Sequence, residues 1–349
     1  MIDFAGLGLL GNLAIFAAAA VVVWGAGVRI THYANAISEK TGISQAFVGL
    51  LLLGGVTSLP ELAVAVTAAA SDAAALAVNS VLGGVAMQVA ILGIADLMIG
   101  RQALTSQVPN PTVLLQGAFK IMLLSIAAAA IVVGDRAVLG VGIWMWLLLA
   151  ATAASLLVLS QVKDRRAWRV TTGADEQDEE RRARREAKKT ADRPLGRTIA
   201  MTAVAGIVIV AAGYVLSRTG DAIAEQSGLG ESFVGAVFVA VATSLPEMST
   251  VVTATRSGLY TMAVSDIFGT NIFDTAFLFV IDAVAPGEAV LNTVDRFSTF
   301  AALIGITVTA ILLVGLVERR NRTVLGMGHD TLAVLACYLA GLVVLYFLR

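Results

Sequence analysis

The sequence predicts an all-α polytopic membrane protein, with ten transmembrane helices arranged as two inverted five-helix repeats. Three observations lead there. The 349-residue chain is 58% hydrophobic and only 14% charged, with a mean hydropathy of +0.84. Runs of about 20 apolar residues, the length that spans a bilayer, recur along it. Thr57-Ser58-Leu59-Pro60-Glu61 returns 186 residues later as Thr243-Ser244-Leu245-Pro246-Glu247. Each copy sets a carboxylate, two hydroxyls and a proline inside an apolar run. A proline there frees backbone carbonyls from the helix ladder, and such carbonyls survive at membrane depth only when buried or lining a wet cavity. The motif therefore reads as a broken helix whose loose oxygens surround something cationic.

The duplication extends beyond the motif. At the same offset of 186, Glu39 falls on Glu225, Gly42 on Gly228, and Phe47-Val48-Gly49 on Phe233-Val234-Gly235. Gly83 falls on Gly269 and Asp96 on Asp282. Matches of Gly and charged residues at a fixed period mark an internal repeat, with cores at about 34–97 and 220–283.

In chain order, the first span covers 5–28. Asp3 precedes it in place of a basic n-region, so it reads as a span and not as a signal peptide. A short link with Arg29, His32 and Lys40 follows. The second span, 44–70, holds the first motif, and Ser71-Asp72 turns the chain into the third, 73–99. Spans four (113–134) and five (137–160) are joined at Asp135-Arg136. The second half repeats the pattern with spans at 199–217, 231–255 (holding the second motif), 260–285, 298–317 and 331–348.

The domain plan is a first repeat half at 1–161, a charged connector at 162–197 and a second half at 198–349. The connector holds 12 of the 24 Lys and Arg and 8 of the 25 acids. Its i,i+4 pairs Asp178/Arg182 and Glu180/Arg184 predict a solvated helix. Arg29, Lys40, Arg101, the connector, Arg256, Arg319, Arg320 and Arg322 fall on one side, which the positive-inside rule makes cytoplasmic. Asp72, Asp221, Glu225, Glu231 and Glu288 fall on the other, so both termini face outward. The single Cys337 excludes an internal disulfide and a multi-Cys metal site. His32 and His329 read as solvated residues at helix ends. The expected partners are inorganic cations and the lipid bilayer. No nucleic acid and no cofactor is expected.

Buried carboxylates in apolar spans are costly and read as functional. Thr57 and Ser58 precede Glu61 by four and three residues, so on a helix they share its face. Thr243, Ser244 and Glu247 repeat this. On span eight, Asp266, Thr270 and Asp274 form an i, i+4, i+8 stripe, with Asn271 alongside. All these ligands are hard oxygen donors, suited to Ca²⁺, Na⁺ or Mg²⁺. Two facing carboxylates balance one divalent ion. When it leaves, monovalent cations or protons must replace it before the site can cross the membrane, which is a physical basis for antiport.

At these residues the chain resembles the cation/calcium antiporter superfamily, sodium/calcium exchanger branch. Its G-T-S-x-P-E element is matched by 56–61 and 242–247, with Val56 and Ala242 in place of Gly, and its G-S-N element by Gly269-Thr270-Asn271. The resemblance implies a ten-helix exchanger of the prokaryotic inner membrane that moves Ca²⁺ against Na⁺. It also implies Glu61 and Glu247 as central ligands, with Thr57, Ser58, Thr243, Ser244, Thr270 and Asn271 around them. The first repeat departs from the pattern, because Gly83-Gly84-Val85 offers neither hydroxyl nor amide. Span eight gains Asp266 where the family has Asn. A carboxylate-rich, amide-poor site suits proton coupling, so Ca²⁺/H⁺ exchange is the alternative. An intramembrane enzyme is disfavoured, since glutamates flanked by hydroxyls look like a coordination shell more than an acid–base dyad.

Overall fold

The computed structural model describes residues 5–70, 74–100, 102–162, 173–188, 194–226 and 243–348. Helix α1 (Gly8–Thr41) runs well past its expected end. Nothing between Arg29 and Lys40 breaks a helix, and the stop comes only at Gly42, whose φ of 71° lets it take the left-handed cap. His32 is therefore half-buried inside a helix instead of solvated at its end. The matching helix α9 (Leu195–Gln226) is nearly as long and also outruns its expected end at 217, and the two pack along their length.

The second span is broken, as the motif predicts. Helix α2 (Gln45–Thr57) meets α3 (Leu59–Ala70) at a bend of 42°. A π-helical turn at Gly49–Gly54 precedes the bend. Pro60, with no N–H to give to the carbonyl of Val56, follows it. Helix α4 (Ala74–Leu97), the short α5 (Leu104–Gln107), α6 (Thr112–Val133) and α7 (Ile143–Gln161) complete the first half. The connector supplies α8 (Gly173–Lys188). After α9 come α10 (Leu245–Arg256), α11 (Tyr260–Val284), α12 (Arg296–Glu318) and α13 (His329–Leu348). Among the described residues eight helices are long and apolar enough to cross a membrane, or nine if the bent pair counts as one span. Of the span expected at 231–255, residues 231–242 lie outside the described residues. So do Asp72, Arg101 and Glu231 of the expected loop charges.

Residues 137–142, expected to open span five, form a β-hairpin: β1 (Ala137–Val138) against β2 (Val141–Gly142). Leu139 and Gly140 have φ of 56° and 81°, the positive pair that a two-residue hairpin turn requires. A second hairpin, β3 (Thr323–Val324) and β4 (Met327–Gly328), stands at the same offset of the chain. Its turn is Leu325 and Gly326, with φ of 56° and 82°. The matched aspartates pin these hairpins crosswise. Asp96 accepts from Leu104 N at 2.6 Å and Gly328 N at 2.7 Å. Asp282 accepts from Val290 N at 2.5 Å and Gly142 N at 2.6 Å. Each half thus holds the other's hairpin with a carboxylate that satisfies two buried N–H groups.

At the centre, α2 and α11 cross with their backbones touching. A Cβ on Gly54 would lie 2.5 Å from Thr270 N, and one on Gly269 2.4 Å from Leu50 O. Small residues at such crossings let helices approach where no hydrophobic effect drives them together. This contact carries the first motif onto the polar stripe of α11.

The connector helix is docked as well as charged. Buried Glu179 accepts from Thr261 N at 2.8 Å and Thr261 Oγ1 at 2.6 Å, placing a carboxylate at the N-terminus of α11, where the helix dipole favours it. Asn35 donates to the carbonyl of Ala183 at 2.8 Å, and Glu186 lies 3.5 Å from His32. Of the two expected i,i+4 pairs, Arg184–Glu180 is formed at 3.8 Å, while Arg182 instead covers the ring of Tyr260 at 5.7 Å.

Candidate cation site

Glu61 and Glu247 lie in the first turns of α3 and α10, where the helix dipole favours negative charge. Glu247 is fully buried. Glu61 is half-buried as a residue, but both of its carboxylate oxygens are enclosed. Glu61 sits in the field of Glu247 and Asp274, and Glu247 in that of Asp266 and Asp274. The α11 stripe of Asp266, Thr270, Asn271 and Asp274 is buried throughout. Its two aspartates are two turns apart, about 12 Å along the axis.

The hydroxyls do what such groups usually do in helices: they give their protons back to carbonyls. Thr57 Oγ1 donates to Leu53 O at 3.1 Å and Ser58 Oγ to Gly54 O at 2.7 Å. Their lone pairs remain for the site. Thr57 Oγ1 lies 3.3 Å from Thr270 Oγ1, Thr57 stands beside Glu247 and Ser58 beside Asp274. Ser244 is buried at the N-cap of α10, and Thr243 precedes it, half-buried. Thr250 donates its hydroxyl to one oxygen of Asp266. Asn271 spends its N–H on Ile267 O at 2.5 Å, which leaves its oxygen as an acceptor.

Three residues around this point were not among the expected ligands: Gln88, Thr250 and Lys120. Gln88 Nε2 donates to Asp274 Oδ2 at 3.0 Å, across a sequence separation of 186. Gln88 is thus the repeat partner of Asp274, and the offset that matched Glu61 with Glu247 could have found it. Val85, at the position of the missing amide, packs instead toward Gly305 and Leu124. The amide of the first half comes from Gln88, three residues further along α4. Lys120 is a fully buried lysine on α6; a lone cation in an apolar span is itself a functional signal.

The hydrogen-bond balance of the site is one-sided. Among the described residues, both oxygens of Glu61 and of Glu247 have no donor, nor do Asp266 Oδ1, Asp274 Oδ1, Asn271 Oδ1 and Gln88 Oε1. Buried acceptors of this kind are costly unless something positive meets them. Among the described residues no three Asp, Glu, His or Cys side chains converge on one metal position. The carboxylates are spread along α3, α10 and α11, an arrangement suited to several adjoining cation positions.

The family model for sodium/calcium exchanger protein matches residues 11–164 and 197–347. The chain belongs to the sodium/calcium exchanger family. Inner membrane protein YrbG of Escherichia coli (strain K12) is 24% identical over 286 residues, 80% of this chain and 82% of that one. CaxA of Alkalimonas amylolytica is 22% identical over 317 residues, 90% of this chain and 93% of that one. A structure of the sodium-calcium exchanger NCX_Mj matches with a TM-score of 0.70 at 15% identity, over 96% of this chain and 99% of that one. The fold is therefore shared at low identity. This exchanger is an integral membrane transporter of inorganic cations, not an enzyme, and the matched stretches include both copies of the broken-helix motif.

Proposed function

We propose that this family member exchanges Ca²⁺ for Na⁺ by alternating access, around a site centred on Glu61 and Glu247. The observation that carries the reading is the set of eight buried acceptor oxygens with no donor among the described residues, on Glu61, Gln88, Glu247, Asp266, Asn271 and Asp274. Hard, mostly anionic oxygens suit Ca²⁺ and Na⁺. Thr57, Ser58, Thr243, Ser244 and Thr270 add neutral oxygens around them. Ca²⁺ leaving such a site exposes carboxylates to each other in a low dielectric, and refilling by monovalent cations removes that cost.

The architecture in this proposal is ten helices in two inverted halves, 1–161 and 198–349, joined by a cytoplasmic connector at 162–197, with both termini outside the inner membrane. The crosswise Asp96 and Asp282 contacts and the paired hairpins support a pseudo-twofold relation between the halves. Inverted repeats with interrupted helices around a midplane site are a common transporter plan.

Proton coupling is the second reading, and the fourth carboxylate, Asp266, is the observation that favours it. Ca²⁺ uptake into liposomes under an outward Na⁺ gradient, an outward proton gradient or no gradient separates the two. The expected result is uptake accelerated by the Na⁺ gradient. Uptake that follows the proton gradient alone moves the protein to Ca²⁺/H⁺ exchange. Uptake with neither gradient removes antiport altogether.

A further inference from the structure

We propose that Lys120 is a resident cation of the site: a tethered ammonium that holds one positive-charge position beside Asp274 and so sets how many mobile cations the carboxylates take up. The inference rests on the exchange reading above.

Lys120 is the one ionisable residue on α6, whose sequence is otherwise apolar or neutral. It is fully buried, so its head group does not reach the lipid or water that long cationic side chains usually seek. Among the described residues its Nζ has no hydrogen-bond partner. It lies over the ring of Phe268, 5.8 Å from the centroid, and in the field of Asp274. Gly117, one turn earlier, brings α6 close to α11: a Cβ there would lie 3.1 Å from Phe268 Cε2. The close approach of the two helices is what delivers the ammonium to the stripe.

A desolvated ammonium is retained only where negative charge offsets its lost hydration. Here the nearest such charge is Asp274, with Glu61, Glu247 and Asp266 further along the site. Four carboxylates and one ammonium sum to minus three when all are charged. One Ca²⁺ leaves minus one, and three monovalent cations bring the cluster to zero. Without Lys120 a fourth monovalent cation would be needed for the same balance. The field of Lys120 also opposes any mobile cation at Asp274, a carboxylate that accepts from the Gln88 amide at 3.0 Å. The lysine is thus a specificity-determining residue, acting through charge and not by contact with the cargo.

The test measures cation binding to the purified full chain in detergent, from thermal-shift midpoints against NaCl and CaCl₂. The variants are Lys120→Met and Lys120→Arg. Loss of the resident charge is expected to lower both midpoints roughly tenfold or more, and to raise the Na⁺ Hill coefficient by about one, the one tethered charge being replaced by one mobile cation. Lys120→Arg should stay near wild type. A merely structural lysine would not tighten cation binding when removed, so unchanged or weaker binding in folded Lys120→Met overturns the proposal. If that variant does not fold, Lys120→Met combined with Asp274→Asn decides. Removing both charges should restore stability relative to either single change, and a double variant no more stable than the singles overturns the proposal. A wild type that binds neither ion, with binding gained in Lys120→Met, supports the resident charge and overturns the exchange reading. Absence of binding in both overturns the two together.

Discussion

Glu61→Gln and Glu247→Gln are each expected to abolish Ca²⁺ exchange while leaving a folded protein. Glutamine keeps the shape and one oxygen but removes a negative charge and adds two donors. In a site whose acceptors outnumber its donors, an amide N–H turned toward the cargo opposes a cation. Removing one partner from a buried charge interaction costs about 3–5 kcal/mol, or roughly two to nearly four orders of magnitude in affinity. The effect on the cation-free protein should run the other way. Glu61 and Glu247 stand in each other's field, so neutralising either relieves repulsion, and thermal stability without cations should hold or rise. The stabilisation that Ca²⁺ gives the wild type should vanish in both variants. Near-wild-type flux in either, or a variant that still gains its full thermal shift from Ca²⁺, would remove that glutamate from the site.

The second large effect is expected at the crossing of α2 and α11. In Gly269→Ala the new Cβ would lie 2.4 Å from Leu50 O and 2.6 Å from Leu50 Cα. Both are backbone atoms, so no side chain can rotate away and the helices themselves must part. Ordinary overpacking costs about 1–3 kcal/mol, and a clash with backbone should reach at least the top of that range. Parting the helices also pulls Thr57 from Thr270, whose hydroxyls lie 3.3 Å apart. Loss of folded protein on size-exclusion chromatography, or folded protein without exchange, is the expected outcome. Gly55→Ala is the control, because its Cβ would meet Phe273 at an ordinary 3.4 Å. If Gly269→Ala melts and transports like wild type, the crossing does not set the site's geometry.

Much of this was legible in the sequence, for reasons that differ by element. Hydropathy placed most of the described spans within a few residues, but not the ends of α1 and of α9, which runs to Gln226 where 217 was expected, and Pro60 announced the break before α3. The hairpins escaped because short strands joined at Leu139-Gly140 and Leu325-Gly326 carry no two-residue period long enough to read. The extension of α1 to Thr41 escaped because Arg29, His32 and Lys40 look like loop residues. In the fold they lie on a helix braced by the connector, where Asn35 bonds Ala183 and His32 faces Glu186.

The candidate site was legible where the duplication repeats identical residues. Glu61 and Glu247 stand out on that ground alone. Gln88 and Asp274 are also repeat partners, but they are not identical, so matching by identity passed over the amide. Lys120 lies outside the stretches that the repeat aligns. Only the packing of α6 on α11 through Gly117 brings it over Phe268 and into the field of Asp274, and no local pattern encodes that approach.

Exchange through one site requires that the two cargoes exclude each other. The most direct measurement is equilibrium Ca²⁺ binding to the purified protein, titrated with Na⁺ at fixed pH and fixed ionic strength. The account predicts that Na⁺ displaces Ca²⁺ completely and cooperatively, since the same oxygens on Glu61, Glu247 and Asp274 serve both in turn. Ca²⁺ binding that is indifferent to Na⁺, with both ions held at once, would contradict a shared site.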